Sequence, residues 1–267
     1  LALAALLFDV DGTLADTEAD GHRPAYNRAF AAHGLDWYWS STLYQELLAV
    51  SGGIPRLSWF LDTYRPSLGV HAAAYRHDPG AWIRALHRQK ARYFRRQVVA
   101  GRVALRPGVK RLIEGAIAAG IHVGLVSNAS RATVDALEKY CVQAALGDVI
   151  SLTISGDDVL RPKPDPMPYT LACERLGVDP ACALALEDSP VGLTSALAAG
   201  LPTLVTTSDE TRDRSFPGAV AVVDSLDHPG RPAGADANAG DTFERVDIDV
   251  LRSLHVSGAD THGSTDG

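Results

Sequence analysis

Cysteine is nearly absent: the chain has three, Cys141, Cys173 and Cys182, and no C-x-x-C pair. A disulfide-built scaffold and a zinc knuckle are therefore excluded, and a reducing compartment is expected. No apolar run approaches the ~20 residues of a membrane-crossing helix, so a soluble chain without a membrane partner is expected. No signal or transit segment precedes the first apolar run, Leu1 to Phe8. The expected location is the cytoplasm, or a plastid stroma if an upstream transit peptide has been removed. Bases are outnumbered, 25 to 32, for a formal net charge of −7. Nucleic-acid binding draws its affinity from cations set against phosphates, so no nucleic-acid partner is expected. The pattern G-x-x-x-x-G-K-[ST] does not occur, which excludes a P-loop kinase. Lysine is rare as well, with Lys90, Lys110, Lys139 and Lys163 the only four.

What is present suffices for a core. The 267 residues are 46% hydrophobic, enough for one large domain or a core with a smaller companion. Apolar runs at residues 4–10, 121–126, 149–154, 183–186, 202–205 and 220–223 read as buried strands. Helical patterns lie between them at 109–119, 131–140, 167–176 and 191–199. The alternation predicts an α/β fold with a doubly wound parallel sheet, which binds ligands beyond the carboxyl ends of its strands. Residues 18–100 break the alternation and read as a helical insertion after the first strand. There Ile83, Leu86, Phe94 and Val98 recur at helical spacing. The expected division is a core of 1–17 and 101–227, a helical domain of 18–100, and an extension of 228–267. In that extension an amphipathic piece, 248–256, packs on the core, and the end from Thr261 is loose. Charge is segregated too. Nine bases face one acid from Arg76 to Arg106, and five acids face no base from Asp9 to Asp20.

Four strand ends carry the chemistry. Asp9-Val10-Asp11-Gly12-Thr13 closes the first strand. A period of two puts both aspartates on one side, and Gly12 lets the backbone turn away. Carboxylates this close need a cation or a shared proton. Ser127-Asn128 end the second strand, where a hydroxyl and an amide can bind phosphate oxygens or cap the next helix. Lys163 sits in Arg161-Pro162-Lys163-Pro164-Asp165-Pro166. The prolines stiffen its base, and a point cation there suits a phosphate or a carboxylate cluster. Glu187-Asp188 follow the strand at 183–186 and offer oxygen ligands suited to Mg²⁺. Ser189-Pro190 then read as an N-cap and a first helical turn.

With these residues the sequence resembles the haloacid dehalogenase superfamily, whose four motifs match Asp9–Thr13, Ser127, Lys163–Pro166 and Glu187-Asp188. The helical insertion is similar to the C1 cap of its subfamily I. Within that group the likeness is to the CbbY-like sugar-phosphate phosphatases. It is carried by Thr17-Glu18-Ala19-Asp20-Gly21-His22-Arg23, Ser51-Gly52-Gly53-Ile54-Pro55-Arg56, Leu86-His87-Arg88-Gln89-Lys90 and Leu105-Arg106-Pro107-Gly108. The resemblance implies an Mg²⁺-dependent phosphatase that forms an aspartyl-phosphate, with a small phosphorylated sugar as its partner. Xylulose 1,5-bisphosphate, cleaved to xylulose 5-phosphate, is the best match. It implies Asp9 as nucleophile and Asp11 as general acid and base, with Ser127 and Lys163 on the phosphoryl oxygens. Mg²⁺ is expected on Asp9, Asp188 and the Asp11 carbonyl, with Glu187 ordering its waters. Glu18, His22, Arg23, Arg56 and Asn128 are the expected substrate-binding residues, with cap closure excluding water. A monomer is expected.

Two departures stand out. The relatives' cap loop reads Gly-Gly-Lys-Glu-Arg, and here Ile54-Pro55 replace the Lys-Glu. Asn128 replaces an expected Thr. Two other readings share the residues: a sugar-phosphate mutase of the β-phosphoglucomutase type, and a phospho-aspartate receiver domain. A receiver carries its acceptor on a middle strand and has no cap insertion, which disfavours it.

Overall fold

The structure, a computed structural model, describes residues 1–50, 52–227 and 244–262. The chain divides into two compact units, one of residues 1–16 with 104–267 and one of residues 17–103.

The first unit is built on a six-stranded sheet. Its strands are β1 (Ala5–Phe8), β2 (His122–Val126), β3 (Leu152–Ile154), β4 (Ala183–Glu187), β5 (Thr203–Thr206) and β6 (Ala221–Val223), in the order β3-β2-β1-β4-β5-β6. Every pairing is parallel. All four residues of β1 are buried, as a strand covered on both faces requires. The chain winds outward from β1 in one direction through β2 and β3, and in the other through β4 to β6. That reversal creates the crevice in which such sheets hold ligands. Phe8 pairs with both Leu125 and Leu186, so Asp9 emerges level with Glu187 and one residue short of Ser127.

The second unit contains α1 (Arg23–Ala32), α2 (Ser41–Leu47), α3 (Gly53–Tyr64), α4 (Ala72–His77) and α5 (Pro79–Val99). Its core is aromatic: Tyr26, Phe30, Trp37, Trp39, Tyr44 and Phe60 pack with Leu57 and Leu86. Asp78 caps α5 by accepting from the Ala81 N–H at 2.8 Å, and Pro79 opens the helix. The buried stripe of α5 is Ile83, Leu86, Lys90, Phe94 and Val98. A lysine thus interrupts an otherwise apolar face.

The remaining helices belong to the sheet unit: α6 (Val109–Ala118), α7 (Arg131–Leu137), α8 (Ala144–Leu146), α9 (Met167–Leu176), α10 (Pro190–Ala198) and α11 (Ile248–His262). From α9 and α10, Tyr169, Ala172, Cys173 and Ala196 pack on Ala5, Leu7, Val126, Ile154 and Ala185. Each large apolar side chain buried this way contributes ~1.5–3 kcal/mol. The 131–140 pattern ends as an α-helix at Leu137 and continues as a π-helical turn, Glu138–Gln143. The helix expected at 248–256 extends to His262, and residues 263–267 of the loose end lie outside those described. Among the described residues no helix is long and apolar enough to cross a membrane.

Candidate active site

Lys163 organises the site in the sheet unit. Its Nζ donates to Asp9 Oδ1 at 2.7 Å, Glu187 Oε1 at 2.6 Å, the Val126 carbonyl at 2.8 Å and Tyr169 Oη at 3.2 Å. Tyr169 donates in turn to Glu187 Oε1 at 2.6 Å. Carboxylate oxygens of Asp9, Glu187 and Asp188 lie within 4.8 Å of one another. All three acids and Lys163 are buried.

This crowding sets the protonation energetics. Burial pushes the Asp9 carboxyl up to about 7, with Lys163 opposing and Glu187 adding to the rise. Burial also raises Asp188 well above the usual carboxylate range, and Asp9 and Glu187 push it further. For Lys163 burial acts downward, but Asp9 and Glu187 outweigh it and the net shift is upward. Three buried carboxylates therefore meet one buried ammonium. A hard cation suits that imbalance, because the donors are all oxygen and extra positive charge would favour the ionised forms of Asp9 and Asp188. Asp11 also adds to the rise at Asp9.

The loops that carry these groups are tightly specified. Gly12 has φ +88°, and a Cβ there would collide with the Asp188 carboxylate. A Cβ at Gly192 would collide with Glu187. Ser208 donates to Asp188 Oδ2 at 3.1 Å. Ser189 caps α10 by accepting from the Gly192 N–H. Ser127 is buried, and its Oγ accepts from the Ala129 N–H at 3.0 Å.

Asn128, expected on the substrate, bonds the backbone of Lys163 at both ends of its amide. It donates to the carbonyl at 3.0 Å and accepts from the N–H at 2.9 Å. The residue thus holds the base of the lysine.

The helical unit gathers a second polar cluster. Tyr44 donates to Glu18 Oε2 at 2.5 Å and accepts from Arg56 Nη1 at 3.0 Å. Arg56 Nε donates to the Leu47 and Val50 carbonyls, and its guanidinium lies 5.4 Å from the Tyr44 ring centre. Arg56, expected to read substrate, is only 8% exposed, and these bonds hold it inside its own unit. Lys90 Nζ lies 2.8 Å from His22 Nδ1 and over the rings of Tyr26 and Phe94. Burial lowers His87 to about 4, and Lys90, His22 and Arg56 reinforce the shift. Arg23, partly buried, opens α1.

Several of these residues were invisible to motif reading. Tyr169 lies on the buried face of α9, where an aromatic reads as core. Ser208 and Tyr44 belong to no spacing that signals chemistry, and Lys90 reads only as the end of the Leu86–Lys90 segment.

A buried lysine bridging two carboxylates at the carboxyl ends of a parallel sheet suits phosphoryl transfer to an aspartate in a doubly wound fold. The family model of the haloacid dehalogenase-like hydrolases matches residues 3–200. The chain belongs to that family, and it is a phosphatase. It is 42% identical to Protein CbbY of Rhodobacter capsulatus over 81% of this chain and 90% of that one. It is 38% identical to the CBBY-like protein of Arabidopsis thaliana over 85% of this chain and 70% of that one. The crystal structure of CbbY from Rhodobacter sphaeroides in complex with phosphate is similar, with a TM-score of 0.73 and 38% identity over 84% of this chain and 94% of that one. A mutant of the same CbbY has been crystallised with xylulose 1,5-bisphosphate, and it matches equally well.

Proposed function

We propose that this phosphatase hydrolyses a small phosphorylated sugar in the presence of Mg²⁺, with xylulose 1,5-bisphosphate as substrate and xylulose 5-phosphate as product. The observation that carries the reading is the buried Lys163 bridging Asp9 and Glu187, with Asp188 alongside. The CbbY complex with that bisphosphate supports the choice of substrate.

In this reading Asp9 attacks phosphorus, the P–O bond to the sugar breaks, and an aspartyl-phosphate forms. Asp11 gives its proton to the departing alkoxide, then takes one from the water that hydrolyses the intermediate. Inorganic phosphate leaves and Asp9 is regenerated. Lys163 opposes the rise that burial imposes on Asp9 and, with Ser127, offers donors to the phosphoryl oxygens. Asp9, Asp188 and the Asp11 carbonyl would hold Mg²⁺, with Glu187 beside them, and the ion supplies charge neutralisation for the transferring group. Asn128 acts through Lys163. Sugar recognition is assigned to Glu18, and the distal phosphate to Arg23 and the Lys90–His22 pair, with Arg56 holding Tyr44. We place the activity in the cytoplasm or a plastid stroma and in a monomer. The three free cysteines fit a reducing compartment.

The test is phosphate release across a panel of sugar mono- and bisphosphates, with Mg²⁺ and with chelator, and with the products identified. Free phosphate supports the reading. An isomeric sugar phosphate without net phosphate release would establish the mutase instead.

A further inference from the structure

Arg106 lies outside the four motifs in sequence, yet its side chain gathers carbonyls from the ends of three strands. Nη1 donates to the carbonyl of Gly12, just past β1, and to that of Thr206, the last residue of β5, the latter at 3.1 Å. Nη2 donates to Thr207 at 2.6 Å and to Asp224, just past β6, at 3.4 Å. The Arg106 backbone N–H donates to the Leu14 carbonyl at 3.0 Å. A planar fork with five donors can hold several acceptors in fixed directions, which a single ammonium cannot.

The acceptors are what make this contact informative. On one side, the Gly12 N–H donates to Ala15 at 2.9 Å, which fixes the Asp11–Gly12 peptide. Arg106 fixes the next peptide, Gly12–Thr13. Both peptide planes that follow Asp11 are thus anchored, in a turn packed against the Asp188 carboxylate. On the other side, Thr207 precedes Ser208, which donates to Asp188 Oδ2 at 3.1 Å. One guanidinium therefore joins the turn that carries Asp11 to the loop that holds Asp188.

We propose that Arg106 is a positioning residue: it fixes the Asp11–Gly12 turn against the Thr206–Ser208 loop and so sets the spacing in which Asp9, the Asp11 carbonyl and Asp188 would take a divalent cation. This rests on the phosphatase reading above. A strap that merely held β5 and β6 to the sheet would alter stability and leave cation affinity alone.

The experiment titrates Mn²⁺ into substrate-free protein, with unbound ion counted by electron paramagnetic resonance. It compares wild type, Arg106→Lys, Arg106→Ala and Ser208→Ala, with kcat, KM and Tm measured alongside. Partners that orient ligands are worth 10- to 100-fold in metal affinity, so Arg106→Ala should weaken Mn²⁺ by about 10- to 100-fold and lower kcat comparably, with KM within roughly threefold. Arg106→Lys keeps the charge without the fork and should recover only part of this. Added guanidinium should restore part of the Mn²⁺ affinity of Arg106→Ala. Ser208→Ala should weaken Mn²⁺ by about 10-fold, the low end of the same range. Folded Arg106 variants with Mn²⁺ affinity within about twofold of wild type would overturn the proposal. If neither Arg106 variant folds, Ser208→Ala decides, and unchanged affinity there overturns it. A wild type that takes up no Mn²⁺ overturns the phosphatase reading and this proposal together.

Discussion

Lys163 in the sheet unit and Lys90 in the helical unit are both buried, at 5% and 6% exposure, in opposite company. Lys163 meets two carboxylates within 2.7 Å. Lys90 lies against an imidazole nitrogen and two aromatic faces, and its charge helps depress the neighbouring His87. One environment is short of positive charge and the other has a surplus. The first suits a cation and a nucleophile, and the second suits an anionic group of a substrate.

The largest effect that follows is on the nucleophile. Asp9→Asn keeps the shape but removes the attacking charge, so kcat should fall by at least ~10³-fold. Steady-state phosphate release checks it, and a variant keeping a tenth of wild-type turnover would remove Asp9 from the mechanism.

Next comes the pair of lysines. Lys163→Met strands two buried carboxylates and should cost ~3–5 kcal/mol in urea unfolding. Lys90→Met leaves a flexible apolar stem against Tyr26 and Phe94, and should cost under ~1.5 kcal/mol. Equal losses would break the comparison.

The two units should also respond to pH with opposite sign. In cation-free protein, folding holds a proton on Asp9 up to about 7 that the unfolded chain loses near 3.8. Its contribution to stability therefore falls as pH rises through that window. His87 titrates near 4 when folded and at 6.5 ordinarily. Its contribution is full above 6.5 and is lost as pH falls toward 4. Unfolding followed against pH in chelator should show a smaller first slope in Asp9→Asn, with Asp188 supplying the remainder, and should lose the second in His87→Gln. A slope undiminished by its own substitution would refute that assignment.

The smallest effect concerns Arg56. Arg56 is bound to Tyr44 and to the Leu47 and Val50 carbonyls, and Tyr44 in turn donates to Glu18, so the proposed role is to hold Tyr44. Arg56→Ala should lower kcat/KM for a bisphosphate and a monophosphate alike, by roughly 10-fold, the worth of one charge-assisted hydrogen bond. A loss confined to the bisphosphate would return Arg56 to the role of phosphate reader.

The sheet was legible because its strands are short apolar runs that give way to acids, serine or threonine. Burial on both faces leaves such runs little alternative. Lys163 stood out because prolines flank it in a chain poor in lysine. Lys90 did not, because it sits among arginines on α5, and only packing shows that its position falls within the Leu86–Phe94 stripe. Arg56 reads as a substrate ligand in the sequence, and its Leu47 and Val50 carbonyl acceptors are seen only in the fold. Arg106 and Ser208 work through carbonyls and a single hydroxyl, contacts between distant loops that no local spacing encodes.

The central claim is that the carboxylate cluster of the sheet unit hydrolyses a sugar bisphosphate through Asp9. Its most direct test is the product balance of the wild-type protein on xylulose 1,5-bisphosphate. The expected result is one free phosphate for each xylulose 5-phosphate formed, with both abolished by chelator and by Asp9→Asn. Substrate left intact in the presence of Mg²⁺, or turnover that survives Asp9→Asn, would contradict it.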